Sequence, residues 1–351
     1  MVVAKHNLFA GLLSANLLLH GCHSTVTTRP TEPPKSTCLV LSVGGPAGVA
    51  HLGAIAALRE TGVDVSCVVG NSMGSLVGAL YAADPAGDTT AHFQAMMQRY
   101  AQTTKDEAAS AAATGGLLGL IFLGPFGGLV GGVAGASSVD RLQHERLVHV
   151  LDDYLGNRSI EQLLLPYETS YVQQAGSKVA LLHVKTGNVA AAVGASVANP
   201  IIFDELDVRR GGPIDPGLDR VAAIPIEHAC ESFPDRIMLV INVTQESAFV
   251  STRMNCTTFE ISPNIPPLPP QDILTSPAAF QQVVESGRLA AETWLHSAEG
   301  ERYLSAAKRF TPGQHVAEIF QTANWKVGQG HSENGRLSLA VDLHNQPGPA
   351  R

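Results

Sequence analysis

The chain lacks the features that mark a nucleic-acid binder, a metal site or a nucleotide site. No run of Lys or Arg interrupts its 351 residues, and 23 basic against 31 acidic side chains leave a formal net charge of −8. A polyanion finds no footprint on such a chain. The same sign disfavours electrostatic docking on anionic lipid, so any membrane attachment must be apolar or covalent. No two of the five cysteines have C-x-x-C spacing, and no zinc-like cluster occurs. A phosphate loop would need Gly-Lys-Ser/Thr, which is absent, and no solenoid-type repeat is found. The reading therefore calls for no cofactor and no metal. What is present is apolar mass: 45% hydrophobic residues over this length can bury a large core, as one α/β domain with appendages.

The most informative segment is Gly70-Asn71-Ser72-Met73-Gly74. Before it, Val63 to Val69 is short, β-branched and apolar, the pattern of a core strand. After it, Ser75 to Ala83 is small and apolar, the pattern of a helix packed on a sheet. A serine between two glycines at a strand-to-helix turn is a nucleophile elbow, in which a strained backbone lifts the hydroxyl above the sheet edge. Upstream, Val43-Gly44-Gly45-Pro46-Ala47-Gly48 follows a second apolar strand, Cys38 to Ser42, and opens a helix over Val49 to Arg59. Such a turn offers free amides at a helix N-terminus. A dinucleotide loop would want an acid at the end of the next strand, but that strand runs straight into the elbow. An oxyanion hole facing Ser72 fits better, because adjacent parallel strands put both turns at one sheet edge.

A third segment, Gly212-Pro213-Ile214-Asp215-Pro216-Gly217, lies downstream of Ala195-Ser196-Val197-Ala198-Asn199-Pro200. Alone it reads as a turn. With the other two segments it resembles the patatin-like phospholipase family, whose pattern joins a glycine-rich oxyanion loop, a G-x-S-x-G elbow and a D-G-G/A motif. Gly44, Gly45 and Gly48 match the loop, and His51 and Gly53 match the H-x-G that often follows it. Val69 to Ala82 is very similar to bacterial members. Ala195 to Pro200 with Phe203 resembles the block before the catalytic Asp, and Asp215 with Gly217 fills the third motif. The likeness runs from about Cys38 to about Trp294.

The resemblance implies a three-layer α/β sandwich with a mostly parallel central sheet. It implies a Ser72–Asp215 dyad with Asp215 as direct base, and an acyl-serine intermediate on the way to hydrolysis of a lipid or phospholipid ester. Gly48, Gly70, Gly74 and Gly217 are then the glycines of the elbow and motifs. Three departures stand out: Val43 replaces the first loop glycine, Ala47 the loop Arg or Lys, and Pro216 the first glycine after the Asp. Pro46 has no N–H to give, so the oxyanion donors fall to Gly44, Gly45, Ala47 and Met73. The departures point to an alternative, a weak or inactive envelope lipoprotein that keeps the fold to bind lipid or a partner. A Ser-Asp-His triad would draw its base from His228, His296, His315, His331 or His344, none of them in a motif and each read as a surface residue. His51 is read as structural.

Residues 1–21 read as a signal peptide: Lys5 gives a positive start, and Leu8 to Leu19 is apolar but short for a bilayer span. Leu19-His20-Gly21-Cys22 resembles a bacterial lipobox, which makes Cys22 the lipidated residue; the alternative is an ordinary secretory signal. His23 and Ser24 offer no inner-membrane retention signal, which favours the outer membrane of the cell envelope. Residues 22–36 are a Thr/Pro-rich tether, 37–295 the acyl-hydrolase domain and 296–351 an extension of unknown role, within which Arg336 to Leu343 reads as an edge strand. Residues 115–135 form an uncharged Gly-rich apolar insert. It is read as a hairpin or loop touching lipid or capping the acyl site, or else buried. A span would part the halves of the domain across a membrane. Further along, Val139 to Leu155 reads as a helix, Lys178 to Val184 with Val189 to Val193 as a β-hairpin, and Asp235 to Val243 as a strand. Cys38, Cys67, Cys230 and Cys256 are open to either disulfides or free thiols.

Overall fold

The computed structural model describes residues 33–112, 142–175, 178–200, 202–204, 206, 211–218, 222–244 and 256–309. The leader with Cys22, most of the tether, the 115–135 insert and the 336–343 segment lie outside the described residues. From Pro34 onward the described residues form one unit.

Its elements, in order, are β1 (Thr37–Leu41), α1 (Ala50–Glu60), β2 (Val65–Gly70), α2 (Met73–Ala83), α3 (Thr89–Ala112), β3 (Leu142–Gln143), α4 (His144–Leu155), β4 (Tyr167–Ala175), β5 (Lys178–Val184), α5 (Val189–Val197), β6 (Phe203–Asp204), β7 (Pro213–Ile214), α6 (Ile226–Ser232), β8 (Ile237–Ile241), β9 (Thr257–Ile261), α7 (Pro270–Thr275), α8 (Pro277–Leu295) and α9 (Ala298–Ala306). The main sheet runs β5-β4-β2-β1-β8-β9, with β7 also on β4. The β2–β4, β1–β2, β1–β8 and β8–β9 pairs are parallel, and β5 and β7 join β4 antiparallel. This is a mixed α/β fold around a mostly parallel sheet.

Alternation along the strands divides the core. Leu39 and Leu41 of β1 and Leu239 and Ile241 of β8 meet the large helical layer of α1, α2, α3, α5 and α8. Cys38, Val40, Met238 and Val240 point the other way, onto Ile226 and Ala229 of the short α6. In α1 and α8 the backbones nearly touch: a methyl added at Gly53 would fall on the Val284 carbonyl, and one at Gly287 on the Ala50 carbonyl. The H-x-G glycine is thus a helix-crossing residue.

Several expectations are corrected. Lys178 to Val184 pairs with β4, not with Val189 to Val193, so the hairpin is β4–β5. The segment from Val189 is a helix because Asn188 caps it, accepting a hydrogen bond from the Ala191 amide at 2.7 Å, and because it is rich in alanine. The helix ending at Leu155 begins only at His144. Between Leu295 and Arg336 the sequence pattern shows no element, yet α9 drives Tyr303 fully into the core. There its hydroxyl shares a 3.0 Å hydrogen bond with Thr37 Oγ1, and its ring packs edge-on against Phe259. Both cysteine pairs are closed as disulfides, Cys38–Cys67 across register partners of β1 and β2, and Cys230–Cys256 between α6 and the start of β9.

Candidate active site

The elbow folds as the glycines require. Ser72 has φ 53° and ψ −124°, and Asn157 is the other non-glycine residue with positive φ among the described residues. The chain can turn this tightly because Gly70 and Gly74 let the backbones of two turns meet. A methyl at Gly74 would lie 2.5 Å from the Ser42 carbonyl oxygen and 2.6 Å from that of Leu41. The strain of such a conformation, about 1–3 kcal/mol, is held by hydrogen bonds. The Ser72 amide donates to Ser196 Oγ of α5 at 2.9 Å. The Asn71 amide donates to the Leu41 carbonyl at 3.1 Å.

The Ser72 hydroxyl donates to Asp215 Oδ2 at 2.7 Å. Asp215 follows β7, and its own amide is fixed on the Ala198 carbonyl at 2.9 Å. Its second oxygen accepts the Gly217 amide at 2.7 Å. Pro216, where the family pattern has glycine, starts a 3-10 turn that leaves the Gly217 N–H in place. Both members of the pair are enclosed, Ser72 at 4% and Asp215 at 2% exposure. Burial raises the Asp215 carboxyl above its ordinary value, opposed by the bonds from Gly217, Ser72 and Asn199. The carboxylate is therefore a stronger base than one in water.

Facing the pair is the loop after β1. Gly45 takes a left-handed φ of 49° and opens a 3-10 turn through Val49 that leads into α1. The amides of Gly44, Gly45 and Met73 have no hydrogen-bond partner among the described residues. Ala47 sits within the 3-10 turn and packs on the core. Gly48 is the contact between the two turns, since a methyl there would overlap Met73 Cβ at 2.6 Å. Gly45, Pro46, Ser72 and Met73 line part of an apolar cleft. Phe93, Met97 and Tyr100 of α3, with Leu76, Leu147 and Phe203, wall the rest. That wall was invisible in the sequence, where His92 to Ala113 reads as a polar-faced helix.

His51 is wholly buried, with Nε2 donating to the Ser42 carbonyl at 3.0 Å, and burial lowers its pKa to about 4. His228 is not a surface residue: it is 7% exposed, its Nε2 pairs with Glu168 Oε2 at 2.6 Å, and its ring stacks on His183 at 3.6 Å. The sequence missed this because β4, which carries Glu168, has no clean apolar alternation. His296 is exposed and bonds the Glu292 carbonyl. His315, His331 and His344 lie outside the described residues. Among the described residues, no histidine hydrogen-bonds Ser72 or Asp215. Ser196, noted only as part of a block, proves to be the partner of the nucleophile's amide.

An enclosed serine on a strand-to-helix turn, against a buried carboxylate and beside free amides, defines a hydrolase-type site on a parallel α/β sheet. The patatin-like phospholipase family model matches residues 39–229, and the chain belongs to that family. Family membership supports hydrolysis of lipid. Uncharacterized NTE family proteins of Mycobacterium bovis and Mycobacterium tuberculosis are 27% identical over 198 residues, 55% of this chain and 47% of theirs. The chain thus spans about half the length of the curated relatives it matches. Two similar solved structures are ExoU in its complex with SpcU from Pseudomonas aeruginosa and VipD from Legionella pneumophila. ExoU gives a TM-score of 0.36 at 14% identity, over 83% of this chain and 57% of that one. VipD gives 0.30 at 14%, over 83% and 74%.

Proposed function

We propose that the protein is a lipid acyl ester hydrolase of the phospholipase A, lysophospholipase or esterase type, working through Ser72 and Asp215. The 2.7 Å hydrogen bond between the two side chains carries this reading. Ser72 Oγ attacks the ester carbonyl while its proton passes to Asp215 Oδ2. The oxygen that becomes negative is met by the amides of Gly44, Gly45 and Met73 at the start of α2, each such donor being typically worth about 3 kcal/mol. Collapse expels the alkoxide, which takes the proton back from Asp215 and leaves an acyl-serine. Water then attacks, giving its proton to Asp215, and the fatty acid leaves as Ser72 is reprotonated. The apolar cleft suits the acyl chain.

The leader pattern supports placing this chemistry at a membrane, with lipidated Cys22 as the anchor in a bacterial envelope, on the outer membrane rather than the inner. A serine-directed fluorophosphonate probe and short-chain nitrophenyl esters test the enzyme reading. Labelling and turnover in the wild type, lost in Ser72→Ala and cut at least ~10²-fold in Asp215→Asn, are the expected results. A folded wild type that neither labels nor turns over would leave a lipid-binding protein instead. Radiolabelled palmitate incorporated by the wild type and not by Cys22→Ala tests the anchor.

A further inference from the structure

The geometry points to Asn71 as a positioning residue that locks the loop carrying the base, and the loop before α1, onto the elbow. The proposal rests on the Ser72–Asp215 reading, and it assigns work to the unspecified second residue of G-x-S-x-G. Asn71 is 1% exposed, and both ends of its side chain are used. Its Nδ2 donates to the Ala222 carbonyl at 2.8 Å, and its Oδ1 accepts the Ser170 amide of β4 at 3.0 Å.

The position of Ala222 gives these bonds their meaning. It lies seven residues after Asp215 in the chain and four before α6. The next residue, Ala223, accepts the Val43 amide at 2.9 Å, directly before Gly44. One primary amide therefore sits between nucleophile, base and oxyanion loop. The side chain before Ser72 fastens the segment after Asp215, and that segment fastens the residue before Gly44. Ser170 supplies the fixed point, because it belongs to a central part of the sheet. An aliphatic residue could not bridge a donor and an acceptor in this way. A carboxylate could accept from Ser170 but would present a second acceptor to the Ala222 carbonyl.

That contrast provides the test. Asn71→Ala, Asn71→Asp and wild type are compared by ester kinetics across pH and by hydrogen exchange of individual amides. Asn71→Ala should lose ~10- to 100-fold in kcat with KM little changed, the scale expected when reacting groups drift by about an ångström. The Val43 and Gly217 amides, neither of which touches Asn71, should exchange at least ~10-fold faster. In Asn71→Asp the buried carboxyl is uncharged when acid and can donate to Ala222. Its activity relative to wild type, compared where circular dichroism shows both proteins fully folded, should therefore rise as pH falls, a trend that a residue serving stability alone would not produce. Unchanged exchange at Val43 and Gly217 in Asn71→Ala, or a flat Asn71→Asp ratio, overturns the proposal. Should Asn71→Ala not fold, exchange in Asn71→Asp at acid and neutral pH decides it, protection restored in acid being the expected result. A wild type without turnover would remove the proposed function, while the exchange measurements would still judge the lock.

Discussion

Replacing Ser196 by alanine is the sharpest probe of how the nucleophile is held. Ser72 keeps a positive φ that an L-residue adopts at a cost of about 1–3 kcal/mol. Its amide is buried, and its hydrogen-bond partner is Ser196 Oγ at 2.9 Å. Removing that oxygen leaves an enclosed N–H unsatisfied, at about 1–3 kcal/mol. The fully buried site in α5 gives water little access as a replacement. If the elbow keeps its shape, the whole cost appears as lost stability. For a domain of this size that corresponds to a Tm lower by roughly 2–6 °C. If Ser72 instead relaxes toward negative φ, the hydroxyl swings from Asp215 and kcat falls, by ~10- to 100-fold for displacements near an ångström. Thermal unfolding and nitrophenyl ester turnover on one preparation measure both channels, and Ser196→Thr, which retains the oxygen, should recover most of the loss in each. Ser196→Ala with wild-type Tm and wild-type kcat would refute the idea that the strain is held from α5.

Three further outcomes follow from the same coordinates. Because burial raises the Asp215 carboxyl, the folded state binds its proton more tightly than the unfolded one. Asp215 thus costs stability as pH rises through its folded value; Asp215→Asn should melt higher than wild type at pH 7 while losing turnover, and a lower Tm would contradict this. His51 behaves oppositely. Lowered from 6.5 to about 4, it contributes stability present above pH 6.5 that fades as pH falls toward 4. The full effect is about 3 kcal/mol at ~1.4 kcal/mol per pH unit, and His51→Gln, which can keep the bond to Ser42, should flatten that part of the urea-unfolding profile. Gly287→Ala would ordinarily help a helix. Here the methyl meets the Ala50 carbonyl, so a net loss of about 1–3 kcal/mol in denaturant unfolding is expected.

Local signals carried the reading furthest where backbone geometry demands particular residues. Gly70, Gly74 and Gly48 are legible because no other side chain fits the meeting of two tight turns. The strands β1, β2 and β8 are legible because both of their faces are buried. β4 escaped notice because it holds the buried polar residues Glu168 and Ser170, the first met by His228, Ser232 and Lys185 and the second by His183, all from outside the strand. α9 escaped for a related reason: its place in the core depends on distant partners, above all Thr37, which meets Tyr303 from far away in the chain. Such pairings follow from tertiary contacts, and a sequence pattern has no access to them. The cysteine pairs belong to the same class, since register between β1 and β2 decides that Cys38 and Cys67 adjoin.

The family match stops at residue 229, but the hydrogen bonds around the site do not. β1 is flanked by β2 on one side and by β8, Ile237–Ile241, on the other. The helix opened by the glycine turn leans on α8, Pro277–Leu295. An expression fragment ending at the homology border would strip the central strand of a neighbour and expose its row of amides and carbonyls as a sticky edge. The smallest piece able to fold around this serine must therefore reach at least through Leu295, so the evolutionary signature and the physical unit have different lengths.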